Sequence, residues 1–223
     1  MFKRVLSIFS VLALLVFFPQ TTLADSSLTG HKIIIDAGHG GSDSGSTACP
    51  DLPEKVVNLD ITQRLQRLVE TDGATVYMTR TDDSTLSNAD RYNYANSTGG
   101  EVLVSVHLNG STNPATDGTK GLYGKIGKDK ALTQVIHSAL WEGLKSTPDF
   151  TDFGVTNFAS GLLLKTTMPA TIQETVFISN SNECNLLKTP GGARQQEIAQ
   201  NLYNGLLNWF AQPQPTPKPG NHK

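Results

Sequence analysis

KIIIDAGHGGSDSG, residues 32–45, is the stretch whose reading decides the fold. Ile33, Ile34 and Ile35 form a β-branched run too short for a helix, and such a run before a glycine-rich break reads as a buried strand. Asp36 ends the apolar run. Gly38, His39, Gly40, Gly41 and Gly45 then make a loop at the strand's C-terminal edge, where open α/β sheets hold their ligands. Glycines let backbone approach a ligand closely, and a histidine among them can point into the opening. Three familiar loops nearly match and fail. Gly40 to Gly45 has Walker spacing, but Ser46 stands where lysine is needed. Asp43 occupies the third glycine of a dinucleotide fingerprint begun at Gly38. It also takes the serine position of a nucleophile elbow. The histidine remains.

Working outward, Asp51-Leu52-Pro53-Glu54 has the form of a helix start, with Asp51 as N-cap and Glu54 as its capping-box partner. Val56, Leu59, Ile61, Leu65, Leu68 and Val69 recur at helical spacing behind it. Ala74 to Thr79 alternates as a strand, and Ser87 to Asn96 reads as a second helix. Glu101 to Val106 is a buried strand ending at His107. Gly118 to Tyr123 is a further strand and Lys130 to Leu144 a helix, with Ser146 to Ser160 irregular. Gly161 to Lys165 and Ala170 to Ile178 are expected as strands, and Glu197 to Phe210 as the last helix. Strands alternating with helices predict an α/β sandwich of one domain, with a mixed, mostly parallel central sheet flanked by helices.

The chain has 223 residues, enough for one good-sized domain with ends that need not belong to it. Hydrophobic content of 38% and 20 glycines suit a loop-rich enzyme better than a coiled coil. A net charge of −2 offers no basic face for nucleic acid. Lys3 and Arg4 precede an apolar run from Val5 to Phe18, and Ala24 precedes polar residues, which is the grammar of a secretory signal peptide. The run falls short of the ~20 residues a membrane span needs. Residues 1–24 are therefore read as a leader cleaved near Ala24, residues 25–211 as the folded domain and residues 212–223 as a Pro-rich disordered tail. In an exported chain Cys49 and Cys184 can form one disulfide, both lying close in sequence to the candidate site, or remain two free thiols.

Strand ends deliver His39, His107 and Glu174, and Glu54 lies just past the loop containing His39. Two imidazoles and a carboxylate make the usual catalytic zinc set, leaving a second carboxylate as general base. Each residue alone has a plainer reading. Glu174 is the hardest to explain away, because TIQETVFI puts a carboxylate in an apolar strand. Leaving that charge unpaired costs several kcal/mol, so a cation or a proton is expected there. Three weaker candidates are Asp36, as a partner orienting a metal ligand or as a brace for the glycine loop; Arg80, for a substrate carboxylate or a salt bridge to Asp82 or Asp90; and Asn109, lining the cleft. His31, His137 and His222 are excluded by position.

The chain resembles the zinc-dependent type-3 N-acetylmuramoyl-L-alanine amidases. The blocks are IIIDAGHGG (33–41), PEKVVNLDITQRL (53–65), TRTDD (79–83) with DRYNYAN (90–96), LVSVHLNG (103–110) and MPATIQETVFISN (168–180). They occur in one order from about Lys32 to Phe210. The resemblance implies one Zn²⁺ per chain held by His39, Glu54 and His107, with Glu174 as the catalytic glutamate. It implies cleavage of the amide between N-acetylmuramic acid and L-alanine in peptidoglycan. The expected setting is the periplasm or the cell wall. The expected protein is a monomer with peptidoglycan as partner, no nucleic acid, and no membrane once the leader is removed. Two alternatives remain: a catalytically inactive wall-binding module of this fold, or a zinc peptidase acting within the stem peptide. Ala37, Thr175 and Val176 depart from the residues the family often has, which bears on substrate fit more than on catalysis.

Overall fold

A computed structural model describes residues 27–212. The leader and the tail beyond Gln212 lie outside the described residues. Along the chain run β1 (Lys32–Ala37), α1 (Glu54–Thr71), β2 (Thr75–Met78), α2 (Asn88–Thr98), β3 (Val102–Asn109) and β4 (Gly118–Tyr123). Then come α3 (Asp129–Leu144), β5 (Thr151–Asn157), α4 (Gly161–Lys165), β6 (Ala170–Phe177), α5 (Ser181–Leu187) and α6 (Ala193–Phe210). Among the described residues, six strands form one sheet in the order β2-β1-β3-β6-β4-β5. β1, β2, β3 and β6 are parallel, and β4 runs antiparallel to β6. This is the mixed α/β sandwich that the sequence predicts.

The period-2 pleat of β1 explains the two-sided burial. Ile33 and Ile35 point to one face and pack with Val57, Ile61 and Leu65 of α1, Ile136 and Leu140 of α3, and Leu202 and Leu206 of α6. Ile34 points to the other face, toward Ala95 of α2 and Leu162 and Leu163 of α4. A strand buried on both sides has no polar face, hence the unbroken isoleucine run. The C-terminal ends of β1, β3 and β6 thus lie at one edge of the sheet, between helices of both layers.

Several boundaries differ from the sequence expectation. Gly161–Lys165 is a helix, α4, because Leu162 and Leu163 both insert into the second core while Leu164 stays 46% exposed. A five-residue apolar run carries no period that separates the two states. The stretch expected to be irregular holds β5, an edge strand whose residues are all exposed or half-buried, so no apolar alternation marks it. Asp51 is not an N-cap: its φ is 62°, α1 begins at Glu54, and Pro53 caps it without a side-chain bond. Helix α5 went unread; Asn180 caps it by accepting from the Asn182 and Glu183 N–H groups. Helix α6 starts at Ala193 because Arg194 can be buried against Glu183.

Cys49 and Cys184 are joined by a disulfide, Cα–Cα 5.4 Å, across a sequence separation of 135 residues. It ties the segment after the glycine loop to α5. No helix among the described residues is long and apolar enough to cross a membrane. Closing so long a loop constrains the unfolded chain strongly, so replacing both cysteines by serine is expected to lower stability by about 2–5 kcal/mol. Urea melts of the oxidised, reduced and double-serine proteins measure it, the last two being expected to coincide.

Candidate metal centre

The centre is built where β1 ends. Gly38 N–H donates to the Val106 carbonyl, carrying the chain one step past the strand, and His39 then turns back with φ 59°. A left-handed conformation on a non-glycine residue costs of order 1–3 kcal/mol unless its surroundings impose it. Here two arginines do so. Arg91 donates to the Ala37 and His39 carbonyls, each at 2.7 Å. Arg80 donates to the Ala37 carbonyl at 3.0 Å and the Gly38 carbonyl at 2.9 Å. Close approach decides two glycines. A Cβ on Gly38 would lie 2.4 Å from the His107 ring, and one on Gly45 would lie 2.6 Å from Glu54 Oε2.

Glu54 is the first residue of α1 and only 3% exposed. Its Oε1 accepts from the Leu108 N–H at 3.0 Å and from Asn58 Nδ2 at 3.1 Å, and its Oε2 accepts from the Ser46 N–H at 2.9 Å. His39 Nε2 lies 3.1 Å and His107 Nδ1 3.3 Å from Oε1. The other nitrogen of His39, Nδ1, faces Asp43 at 2.8 Å. One ligand atom from each of His39, Glu54 and His107 lies within 4.8 Å of the others.

These separations suit a metal. Ligands about 2.1 Å from a tetrahedral ion sit roughly 3.4 Å apart. The donor set, two imidazoles and one carboxylate, is one that a divalent metal such as zinc accepts.

The charges fit as well. Burial alone would raise the Glu54 carboxyl, but hydrogen bonds and charge from His107 and His39 outweigh it and hold the group well below the usual carboxylate range. Burial would lower His39, and the facing carboxylates Glu54 and Asp43 instead lift it to about 9. Glu174 is pushed up, first by burial and further by the Glu54 charge, against the charges of His107, His39 and Lys120. It lies directly across from His107 in the β3–β6 register. Both side chains line a cleft of about 650 Å³ that also takes in His39, Asn109 and Lys120.

One candidate is corrected, and for a second the structure selects the brace for the glycine loop. Arg80 is turned inward rather than toward a substrate: it is 4% exposed and donates to four backbone carbonyls, those of Ala37, Gly38, Lys55 and Asp82. It makes no ion pair with Asp82 or Asp90. Asp36 touches no histidine. Its fully buried carboxylate accepts from Arg91, Thr79 and Ser105, so it braces the arginine that braces the loop. The groups that hold these candidate ligands, Asp43 on His39 and Asn58 on Glu54, are ones the sequence reading does not single out. Asn58 had a signal, since four residues after Glu54 on one helix puts the two side chains together. Of the excluded histidines, His31 stacks on Phe210 and His137 pairs with Asp152, both away from the centre. His222 lies outside the described residues.

Comparison with known proteins follows the same outline. A family model described as N-acetylmuramoyl-L-alanine amidase matches residues 33–208. The N-acetylmuramoyl-L-alanine amidase CwlM of Bacillus licheniformis is 34% identical over 181 residues, 80% of this chain and 68% of that protein. The amidase LytC of Bacillus subtilis strain 168 is 29% identical over 186 residues, and the match spans 36% of its length. The chain therefore corresponds to part of these longer relatives. The crystal structure of an N-acetylmuramoyl-L-alanine amidase from Clostridium difficile 630 superposes with a TM-score of 0.73 at 30% identity, covering 82% of this chain and 98% of that one.

Burial raises the Asp36 carboxyl, but the Arg91 charge and the Ser105 and Thr79 hydroxyls outweigh it, leaving it below its ordinary 3.8. A depressed carboxylate contributes stability above its unfolded pKa and loses it as pH falls through the folded one. Asp36→Asn is expected to cost about 3–5 kcal/mol at pH 7, since Arg91 is left buried without its partner. The gap from wild type should narrow on acidification below 3.8. Thermal melts of both proteins from pH 7 to pH 3 measure this.

Proposed function

The chain belongs to the type-3 family of N-acetylmuramoyl-L-alanine amidases, and on that premise we propose an exported zinc hydrolase that cuts the amide between N-acetylmuramic acid and L-alanine in peptidoglycan. The observation that carries this reading is the convergence of His39, Glu54 and His107 on one point, with Glu174 beside it in a single cleft. The folded unit is residues 25–211, acting as a monomer in the periplasm or cell wall. Residues 1–24 direct export and residues 212–223 form a tail.

His39, Glu54 and His107 would hold one Zn²⁺, which supplies Lewis-acid chemistry, making water nucleophilic near neutral pH and polarising an amide carbonyl. The protein's own work is then positioning and proton transfer. Asp43 holds the His39 ring through Nδ1 and leaves Nε2 beside Glu54, and Asn58 with the Ser46 and Leu108 N–H groups aims the Glu54 carboxylate. Glu174, its carboxyl pushed above the ordinary value by burial, takes a proton from the attacking water and delivers it to the leaving L-alanine nitrogen. That delivery lets the L-alanine nitrogen depart as an amine when the C–N bond breaks. A wall-binding module has no use for a raised glutamate beside an open metal position, and this disfavours the inactive reading.

Glu174→Ala is expected to keep stoichiometric zinc and lose turnover by about 10²–10⁴-fold. His39→Ala is expected to lose the zinc itself. Elemental analysis of the purified variants, with mass spectrometry of muropeptide digests, reads both. Release of whole stem peptides beginning with L-alanine supports the amidase. Shorter peptides would mean a stem peptidase, and an unchanged wall a binding module.

Because His39 is lifted to about 9 when no metal is bound, zinc at pH 7 must displace its proton. Zinc uptake at pH 7 should therefore release about one proton, and apparent affinity should climb with pH until about 9. Calorimetry in buffers of different ionisation enthalpy measures that release.

A further inference from the structure

Resting on the amidase reading, we propose that Lys120 is a specificity-determining residue that binds a free carboxylate on the stem peptide, one residue beyond L-alanine. Three neighbouring strands set a row in register. His107 of β3 faces Glu174 of β6, and Glu174 faces Lys120 of β4. Directly opposed residues share one face of a sheet with strands about 4.8 Å apart, and all three side chains line the same cleft.

The row has a direction. The His39–Glu54–His107 cluster lies at one end, where the amide carbonyl must be held. Glu174 comes next and protonates the nitrogen that departs. The peptide attached to that nitrogen therefore leads past Glu174 toward β4, and the sugar lies on the other side. Consecutive Cα atoms are 3.80 Å apart, so the residue after L-alanine sits about 5 Å from the scissile nitrogen. A four-carbon lysine stem one strand further reaches that point.

Charge points the same way. Lys120 is half-buried, and among the described residues its ammonium makes no hydrogen bond and no ion pair. The other cation lining the cleft, Arg91, is held by Asp36 and by the loop carbonyls. Glu174 across the register is the carboxyl that feels the Lys120 charge, and an ammonium kept partly from water beside that one group can take a substrate carboxylate through a charge-assisted hydrogen bond. Leu122, Ile172, Leu162 and Phe158 also line the cleft, and apolar neighbours strengthen such a bond by lowering the local dielectric.

Two matched muropeptides test this, one with a free carboxylate on the residue after L-alanine and one with the primary amide there. Wild-type protein supplied with zinc is expected to favour the acid by about 10-fold in kcat/KM, chiefly through KM. Lys120→Gln should collapse that ratio to within about 2-fold, and Lys120→Arg should retain most of it. A wild-type ratio near one, or a preference that survives Lys120→Gln, overturns the inference. So does an equal loss of kcat on both substrates, which would assign Lys120 to setting up Glu174. A wild type that frees no stem from either muropeptide would overturn the amidase reading and this inference with it.

Discussion

The site depends on one buried carboxylate. Glu54 stands at the head of α1 with 3% of its surface exposed, and an unpaired charge in such a place costs several kcal/mol. Its partners come from separate segments: His39 and Ser46 from the glycine loop, Asn58 from its own helix, His107 and Leu108 from β3. To satisfy Glu54 the loop must fold back over the end of β1, α1 must abut the sheet edge, and β3 must run two residues beyond His107. The geometry that suits a metal is thus also the geometry that solvates this charge. A divalent cation in the same place neutralises it further, which couples metal binding to the integrity of the fold.

Around that core the protein spends charge on backbone rather than on substrate. Arg80 and Arg91 are both nearly buried, and between them they satisfy the carbonyls of Ala37, Gly38 and His39. Asp36 neutralises Arg91 from beneath. A loop whose polar groups are bound from below by guanidinium groups is held rigidly, and rigidity is what a ligand histidine with a left-handed backbone needs. The disulfide from Cys49 adds a covalent anchor on the far side of Glu54. Substrate recognition is then left to the opposite wall of the cleft, where Lys120 and the apolar residues of β4, β6 and α4 stand.

Residue by residue, legibility followed the strength of the local signal. The isoleucine run of β1, the helical spacing of α1 and the Gly-His-Gly loop each reported a local constraint, and each is where it was expected. Glu174 stood out because a carboxylate in an apolar strand needs a physical reason. Arg80 misled, since an arginine beside a candidate site is equally compatible with facing outward or inward. Only the burial of its guanidinium separates the two. The β5 edge strand and the five-residue α4 left no periodicity to read, and α5 announced itself only by the Asn180 cap.

What the sequence determined by itself was the alternation of strands and helices and which four side chains are the candidates for chemistry, because pleat period, helix period and side-chain chemistry are local properties. Tertiary structure alone decided what each does with its neighbours. It set His107, Glu174 and Lys120 side by side through a register between β3, β6 and β4, strands far apart in the chain. It also turned Arg80 and Asp36 inward. Register and burial arise from which surfaces exclude water together, and no single stretch of sequence contains both surfaces.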